Sequence, residues 1–209
     1  MVRNFIVGTS IAIAAVASAG VFAQDKSTPI PVAENRIAGD IVYGNADAPI
    51  EVIEYGSFTC PHCASFEAEV LPFLREELIS TGKVKFVFRN FVRDRLDMAV
   101  ALATRCTSDL EQAKRLKTAF FTRQREWVTA QNPPIAITSI ALTGGVPTSE
   151  LNECQADKVM MQRIIDDMKA GHEKYEIKSI PTIVVNGAKV QYANYEELKD
   201  KLKLMAAAQ

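Results

Sequence analysis

A strand–helix–strand succession in the N-terminal third constrains this chain more than any other feature. The β-branched and aromatic run Ile50-Glu51-Val52-Ile53-Glu54-Tyr55 reads as a strand, entered through the turn-forming stretch Gly44-Asn45-Ala46-Asp47-Ala48-Pro49. From Pro61 to Ile79 the apolar residues Phe66, Val70, Phe73, Leu74 and Leu78 recur at helical spacing. Pro72 predicts a kink inside that helix, and Thr81-Gly82 ends it. Val84 to Phe91 then alternates as a second strand. A crossover of this length cannot be a hairpin, so the two strands must pair in parallel as a βαβ unit.

Beyond Asp94 the period becomes helical and stays so to about Tyr175. Leu96, Ala99, Ala103 and Cys106 fit one helix, and Ser108 with Glu111 reads as a capping box opening the next. Asn132-Pro133-Pro134 starts another, which Gly144-Gly145 ends. Further helices are expected over 149–156 and 158–175. Strand signal returns at Thr182 to Val185, and Asn186-Gly187 is a two-residue hairpin turn into Lys189-Val190. Asn194 with Glu197 caps a closing helix to about Met205. The plan is an α/β chain in which a βαβ half (41–93) and a ββα half (176–209) flank an all-helical segment (94–175).

The N-terminus changes how the rest is read. Residues 1–23 hold a single charged side chain, Arg3, then an apolar and small-residue run ending Val21-Phe22-Ala23 before polar Gln24-Asp25-Lys26. This is the layout of a secretory signal peptide cut after Ala23. Its many Ala, Gly, Ser and Thr make it only weakly hydrophobic, which favours cleavage over the alternative of an uncleaved membrane anchor. Residues 24–40, with Pro29 and Pro31, form a polar leader too short for a domain. Lys plus Arg number 24 against 25 Asp plus Glu, a net charge of −1. That balance leaves no electrostatic footprint for nucleic acid.

Cys60-Pro61-His62-Cys63 lies where the first strand hands over to the first helix. The spacing lets two thiols close a small disulfide ring. A cysteine at the helix start faces unpaired N–H groups and the positive end of the helix dipole, which favour a thiolate. Pro61 suits the first helical position because it has no N–H to lose. The His62 imidazole can donate toward the Cys60 sulfur or hold positive charge nearby. Cys63, one turn in, is expected to be more buried and neutral when reduced. Together these features stabilise the reduced pair and make its disulfide oxidising. A zinc site would need two further ligands at matching spacing, and a c-type haem would need His where residue 64 is Ala. A purely structural disulfide is the remaining alternative.

Two features elsewhere fit the redox reading. Glu54, six residues before Cys60, shares a strand face with Ile50 and Val52. A buried carboxyl there would relay the proton of Cys63, the alternative being a solvated strand edge. Ser179-Ile180-Pro181-Thr182 precedes the third strand, where a cis Ile180–Pro181 bond would present the Ile180 backbone to an extended substrate peptide.

On these residues the chain resembles the DsbA family of thiol:disulfide oxidoreductases, over essentially residues 40–205. The resemblance implies a thioredoxin fold carrying a helical insertion, and an exported, periplasmic oxidase without a cofactor. Its Cys60–Cys63 disulfide would pass to reduced, newly exported proteins with little selectivity, and a quinone-linked, DsbB-like membrane partner would restore it. Carried over by position, Cys60 is the attacked sulfur, Cys63 the resolving one, His62 the tuner, Glu54 the buried acid and Pro181 the cis-proline, with a monomer expected. An isomerase or reductase on the same fold is the nearest alternative, and a redox-inert peptide-binding or chaperone module the more distant one.

The chain also departs from the family pattern. Val92 stands where many relatives place Pro. Cys106 and Cys154 are an extra pair in the helical segment. With 60 and 63 closed locally they are the natural second bond, the alternative being two buried free thiols. Lys114, Arg115, Lys117, Arg123 and Arg125 read as a solvated basic face. Trp127 reads as a core anchor, His172 as a surface histidine, and Met160, Met161 and Met168 as packing.

Overall fold

The computed structural model describes residues 1–2 and 36–208. The expected signal peptide and most of the leader therefore lie outside the described residues. Among the described residues, no helix is long and apolar enough to cross a membrane.

Among the described residues, five strands form one mixed sheet in the order β1-β3-β2-β4-β5. They are β1 (Ile41–Tyr43), β2 (Ile50–Gly56), β3 (Val84–Asn90), β4 (Thr182–Val185) and β5 (Ala188–Val190). β2 and β3 pair in parallel, as the crossover requires, and the other neighbours are antiparallel. The β4–β5 turn has positive φ at both Asn186 (46°) and Gly187 (79°), which suits the right-handed twist of the strands it joins.

The crossover begins with α1 (Pro61–Glu69) and continues through a short α2 (Leu71–Phe73), a π turn (Leu74–Leu78) and a 3₁₀ turn (Ile79–Thr81). Pro72 has no N–H to offer Ala68, so regular bonding breaks there, and Gly82 closes the element in the left-handed region at φ 76°. All five residues of the anticipated stripe are buried.

Six helices follow: α3 (Arg95–Ala103), α4 (Leu110–Thr122), α5 (Gln124–Val128), α6 (Pro133–Thr143), α7 (Thr148–Gln155) and α8 (Lys158–Tyr175). The chain closes with α9 (Tyr195–Ala207). Two local expectations need correction. Cys106 lies beyond α3 rather than on it, because the chain turns at Thr104, whose hydroxyl bonds back to the Ala101 carbonyl at 2.9 Å. The cap of α4 is Asp109, not Ser108: its carboxylate accepts from the Glu111 N–H at 2.8 Å.

The sheet separates two apolar layers. Ile50, Val52, Phe86, Phe88 and Ile183 face the larger core built with α1, α3, α4, α6 and α9. Ile53, Tyr55, Val87 and Val184 face a smaller one with Ile177 and Tyr175. Helix α8 approaches this second face closely at Gly171, where a Cβ would fall 2.2 Å from the Tyr55 ring. The end of the leader is fastened to the fold. Arg36 pairs with Asp157, Ile37 N–H bonds to the Arg105 carbonyl at 3.1 Å, and Asp40 pairs with Arg89 at 2.7 Å.

Cys106 and Cys154 form a disulfide across 48 residues of sequence, stapling the α3–α4 connection to α7. Closing so long a loop removes chain entropy from the unfolded state, so the Cys106→Ser/Cys154→Ser variant should lose about 2–4 kcal/mol in urea unfolding. A loss below about 1 kcal/mol would show that the staple does not hold the insert.

Candidate active site

Both cysteines of the CPHC segment are buried free thiols. Cys60 is the N-cap of α1 in extended conformation (φ −88°, ψ 120°), and Pro61 holds the first helical position. The Cys60 thiol is lowered to about 5, chiefly by the hydrogen bond from the Cys63 thiol. Burial opposes this, while the N–H groups of Cys63 and His62 and the charge of Arg93 assist. The helix start thus acts through backbone N–H groups, as its position dictates. Position 62 contributes its N–H to the sulfur; among the described hydrogen bonds none comes from its imidazole, which is exposed. Cys63 is pushed strongly upward by burial, by its bond to Cys60 and by the charge of Glu54. Its sulfur accepts from the Ser57 N–H at 3.4 Å.

Glu54 lies on central strand β2, between Phe88 of β3 and Ile183 of β4, and is 1% exposed. The solvated-edge alternative is therefore removed. Neither carboxyl oxygen has a hydrogen-bond partner among the described residues, and burial raises this acid well above the ordinary carboxylate range. Gly56 makes room for it: a Cβ there would come within 2.8 Å of Glu54 Oε1.

The Ile180–Pro181 bond is cis, and the Cys60 sulfur stands 3.7 Å from the Ile180 carbonyl oxygen. Two tyrosines of the C-terminal segment brace this corner. Tyr195 donates to the His62 carbonyl at 2.7 Å and Tyr192 to the Pro181 carbonyl at 3.3 Å.

Several residues at the site are absent from the sequence-based reading. Asp97, at the start of α3, is fully buried. It accepts from Ser57 Oγ at 2.5 Å, Phe58 N–H at 2.8 Å and Arg93 N–H at 2.9 Å. Burial raises its carboxyl to about 6 against the pull of these bonds. Gln124 of α5 donates to the carbonyls of Phe58 (2.7 Å) and Cys60 (2.9 Å). Two side chains of the helical insert thus grip the turn that carries the nucleophile, one by accepting and one by donating.

Beneath lies a buried ion pair between Lys117 of α4 and Glu67 of α1, with Thr118 donating to Glu67 Oε1 at 2.7 Å. This corrects the solvated-face reading for Lys117, whose side chain is fully buried among the rings of Tyr43, Phe88 and Phe121. The warning signal was its register. Ala113, Leu116, Phe120 and Phe121 place position 117 in the middle of the apolar stripe of α4.

A family model for thioredoxin matches residues 37–203. The chain belongs to the thioredoxin family, on its DsbA branch. The crystal structure of Wolbachia pipientis alpha-DsbA1 superposes with a TM-score of 0.70 at 26% identity, covering 82% of this chain and 94% of that one. Disulfide bond formation protein D of Bacillus subtilis is 28% identical over 175 residues, 80% of this chain and 77% of its own. A Rickettsia bellii relative, a protein-disulfide oxidoreductase by name, is 30% identical over 156 residues, 75% of this chain and 60% of its own. The chain spans about three fifths of the length of the Rickettsia relatives it matches. The DsbA-branch membership agrees with the thioredoxin fold and its helical insertion between the βαβ and ββα halves.

Proposed function

We propose that this chain is an exported, periplasmic dithiol oxidase that donates a Cys60–Cys63 disulfide to reduced proteins. The observation that carries this reading is the opposed state of the two sulfurs, Cys60 lowered to about 5 and Cys63 raised. A substrate thiolate attacks Cys60 Sγ, the Cys60–Cys63 bond breaks, and Cys63 leaves to take up a proton. Glu54, whose burial favours the protonated form, supplies it in this reading. A second substrate thiolate then attacks the substrate sulfur of the mixed disulfide and releases Cys60 as a thiolate. The substrate leaves as a disulfide, and its two electrons stay on the Cys60/Cys63 dithiol. Cys60 is a good leaving group because its thiolate is already stable at neutral pH.

In this reading Ile180 and Pro181 bind the substrate backbone and Pro61 and His62 shape the motif. Residues 41–93 and 176–209 make the catalytic half, 94–175 the insert and 1–23 the cleaved signal peptide. The working form is a monomer without a cofactor, reoxidised by a quinone-linked membrane partner.

Two measurements test the proposal. The first is thiolate absorbance at 240 nm during acid titration of the reduced protein, with a midpoint near pH 5 expected and absent in Cys60→Ala. Because the folded value lies below that of an unfolded cysteine (about 8.5), the thiolate stabilises the reduced fold fully only above the unfolded value. That contribution is lost as pH falls through the folded one. The oxidised form lacks this dependence, so the stability gap between the two forms must change between roughly pH 9 and 5. The second is redox equilibration with glutathione. A potential close to thioredoxin's, about −270 mV, overturns the oxidase assignment.

A further inference from the structure

The Cys60 sulfur and the Ile180 carbonyl form a ridge with a hollow on either side. The hollow on the α9 side, about 740 Å³, is edged by Glu69, Glu176 and Glu196 together with Lys178 and Lys189. The other, about 460 Å³, lies between the β3–α3 loop and the α8–β4 loop. Cys60, Phe91, Ile177 and Ile180 line it, Arg93 and Lys178 border it, and none of the residues lining it is acidic. Arg93 and Lys178 are exposed, and among the described residues neither side chain has an ion-pair or hydrogen-bond partner. Nearby cations differ: Arg89 is held by Asp40, and Lys189 by the carbonyls of Tyr175 and Glu176. Asp94, the acid beside Arg93, has its two oxygens engaged by Asp97 N–H (2.9 Å) and Thr59 Oγ1 (3.1 Å). An apolar floor with two cations at its rim that no acid pairs with, one edge of it the reactive sulfur, suits a short carboxylate-bearing side chain.

We propose that this hollow is a specificity subsite for an acidic side chain flanking the substrate cysteine, with Arg93 and Lys178 as its cationic walls. The inference rests on the oxidase reading and refines it, since unselective donation becomes donation biased by local charge. The net charge of −1 hides this bias because the smaller hollow is bordered by cations and no acid, whereas the larger carries both signs. Complementary charge at an exposed rim acts mainly on encounter and falls with ionic strength.

The test uses the oxidised full-length protein and two-cysteine peptides in which Glu, Gln or Lys adjoins the reacting cysteine on either side. Each rate constant is divided by that peptide's rate with a neutral aromatic disulfide, which removes differences in thiol reactivity. At low salt the Glu peptide should exceed the Lys peptide by about three- to tenfold, from two rim ion pairs, and the ratio should approach one in 0.5 M salt. The Lys178→Gln protein should reduce the preference and Lys178→Glu should abolish or reverse it, read as the Glu-to-Lys rate ratio within each variant, with oxidation of the Gln peptide checking that the variants remain active. Equal normalised rates in the wild-type protein, or a preference indifferent to both variants, overturn the subsite while leaving the oxidase reading intact. Failure to oxidise any of the peptides overturns both.

Discussion

Cys60→Ala should reduce oxidation of a reduced, unfolded substrate to the uncatalysed background, a loss on the order of a thousandfold or more. The expectation follows from the position of the sulfur. It is the one beside the Ile180 carbonyl, and the one whose anion is held by the start of α1. Cys63→Ala should behave differently. It also has no disulfide to donate, but its Cys60 thiolate still attacks disulfides and has no neighbouring thiol to release the product. It should therefore accumulate a mixed disulfide with glutathione, visible as a mass increase that reductant removes. If Cys60→Ala retains refolding activity, or if the mixed disulfide forms on Cys63 instead, the assignment of the two sulfurs is wrong.

The largest stability effect is expected at Lys117. Replacing it by Met keeps the bulk of the stem among Tyr43, Phe88 and Phe121 but leaves the Glu67 carboxylate buried beside only the Thr118 hydroxyl. Breaking one side of a buried ion pair costs about 3–5 kcal/mol, because the remaining charge is uncompensated. The double variant Lys117→Met/Glu67→Leu should recover most of that loss. Urea unfolding at constant m-value checks both, and a cost below about 1 kcal/mol for the single variant would show that the pair is not closed in solution. Loss of the ammonium should also drive the Glu54 acid further up, since the Lys117 charge is the main influence holding it down against burial.

The residues that could be read from the sequence were those whose role is local. Proline at the first turn after Cys60, glycine at the end of the crossover, and the Asn186-Gly187 turn all act through their own backbone conformation, so spacing exposes them. Asn132 and Asn194 cap α6 and α9 as their patterns indicated. Trp127, fully buried and bonded through its indole N–H to the Phe120 carbonyl, is the anchor it was expected to be. The three-residue strand β1 is too short to have a period, and its partner Phe86–Phe88 lies more than forty residues away.

The supporting side chains were hidden for a different reason. Asp97, Gln124 and Lys117 are polar residues on helices, where polarity ordinarily means solvent, and each acquires its meaning from a partner 39 to 66 residues distant in the chain. Only Lys117 left a trace, by occupying an apolar position in its helix. Asp97 and Asp94 together look like ordinary capping, and nothing in their spacing points to Phe58.

The grip of Asp97 and Gln124 on the Ser57–Cys60 turn ties the nucleophile to the melting of the insert rather than to the sheet alone. The amides of this turn and the start of α3 should then open as one cooperative unit, with matching hydrogen-exchange free energies. A minimal catalyst made by grafting the CPHC segment onto a bare five-stranded scaffold would keep the sulfurs but lose the clasp that orients them. The insert is in that sense part of the reactive centre itself, folded in from elsewhere through hydrogen bonds.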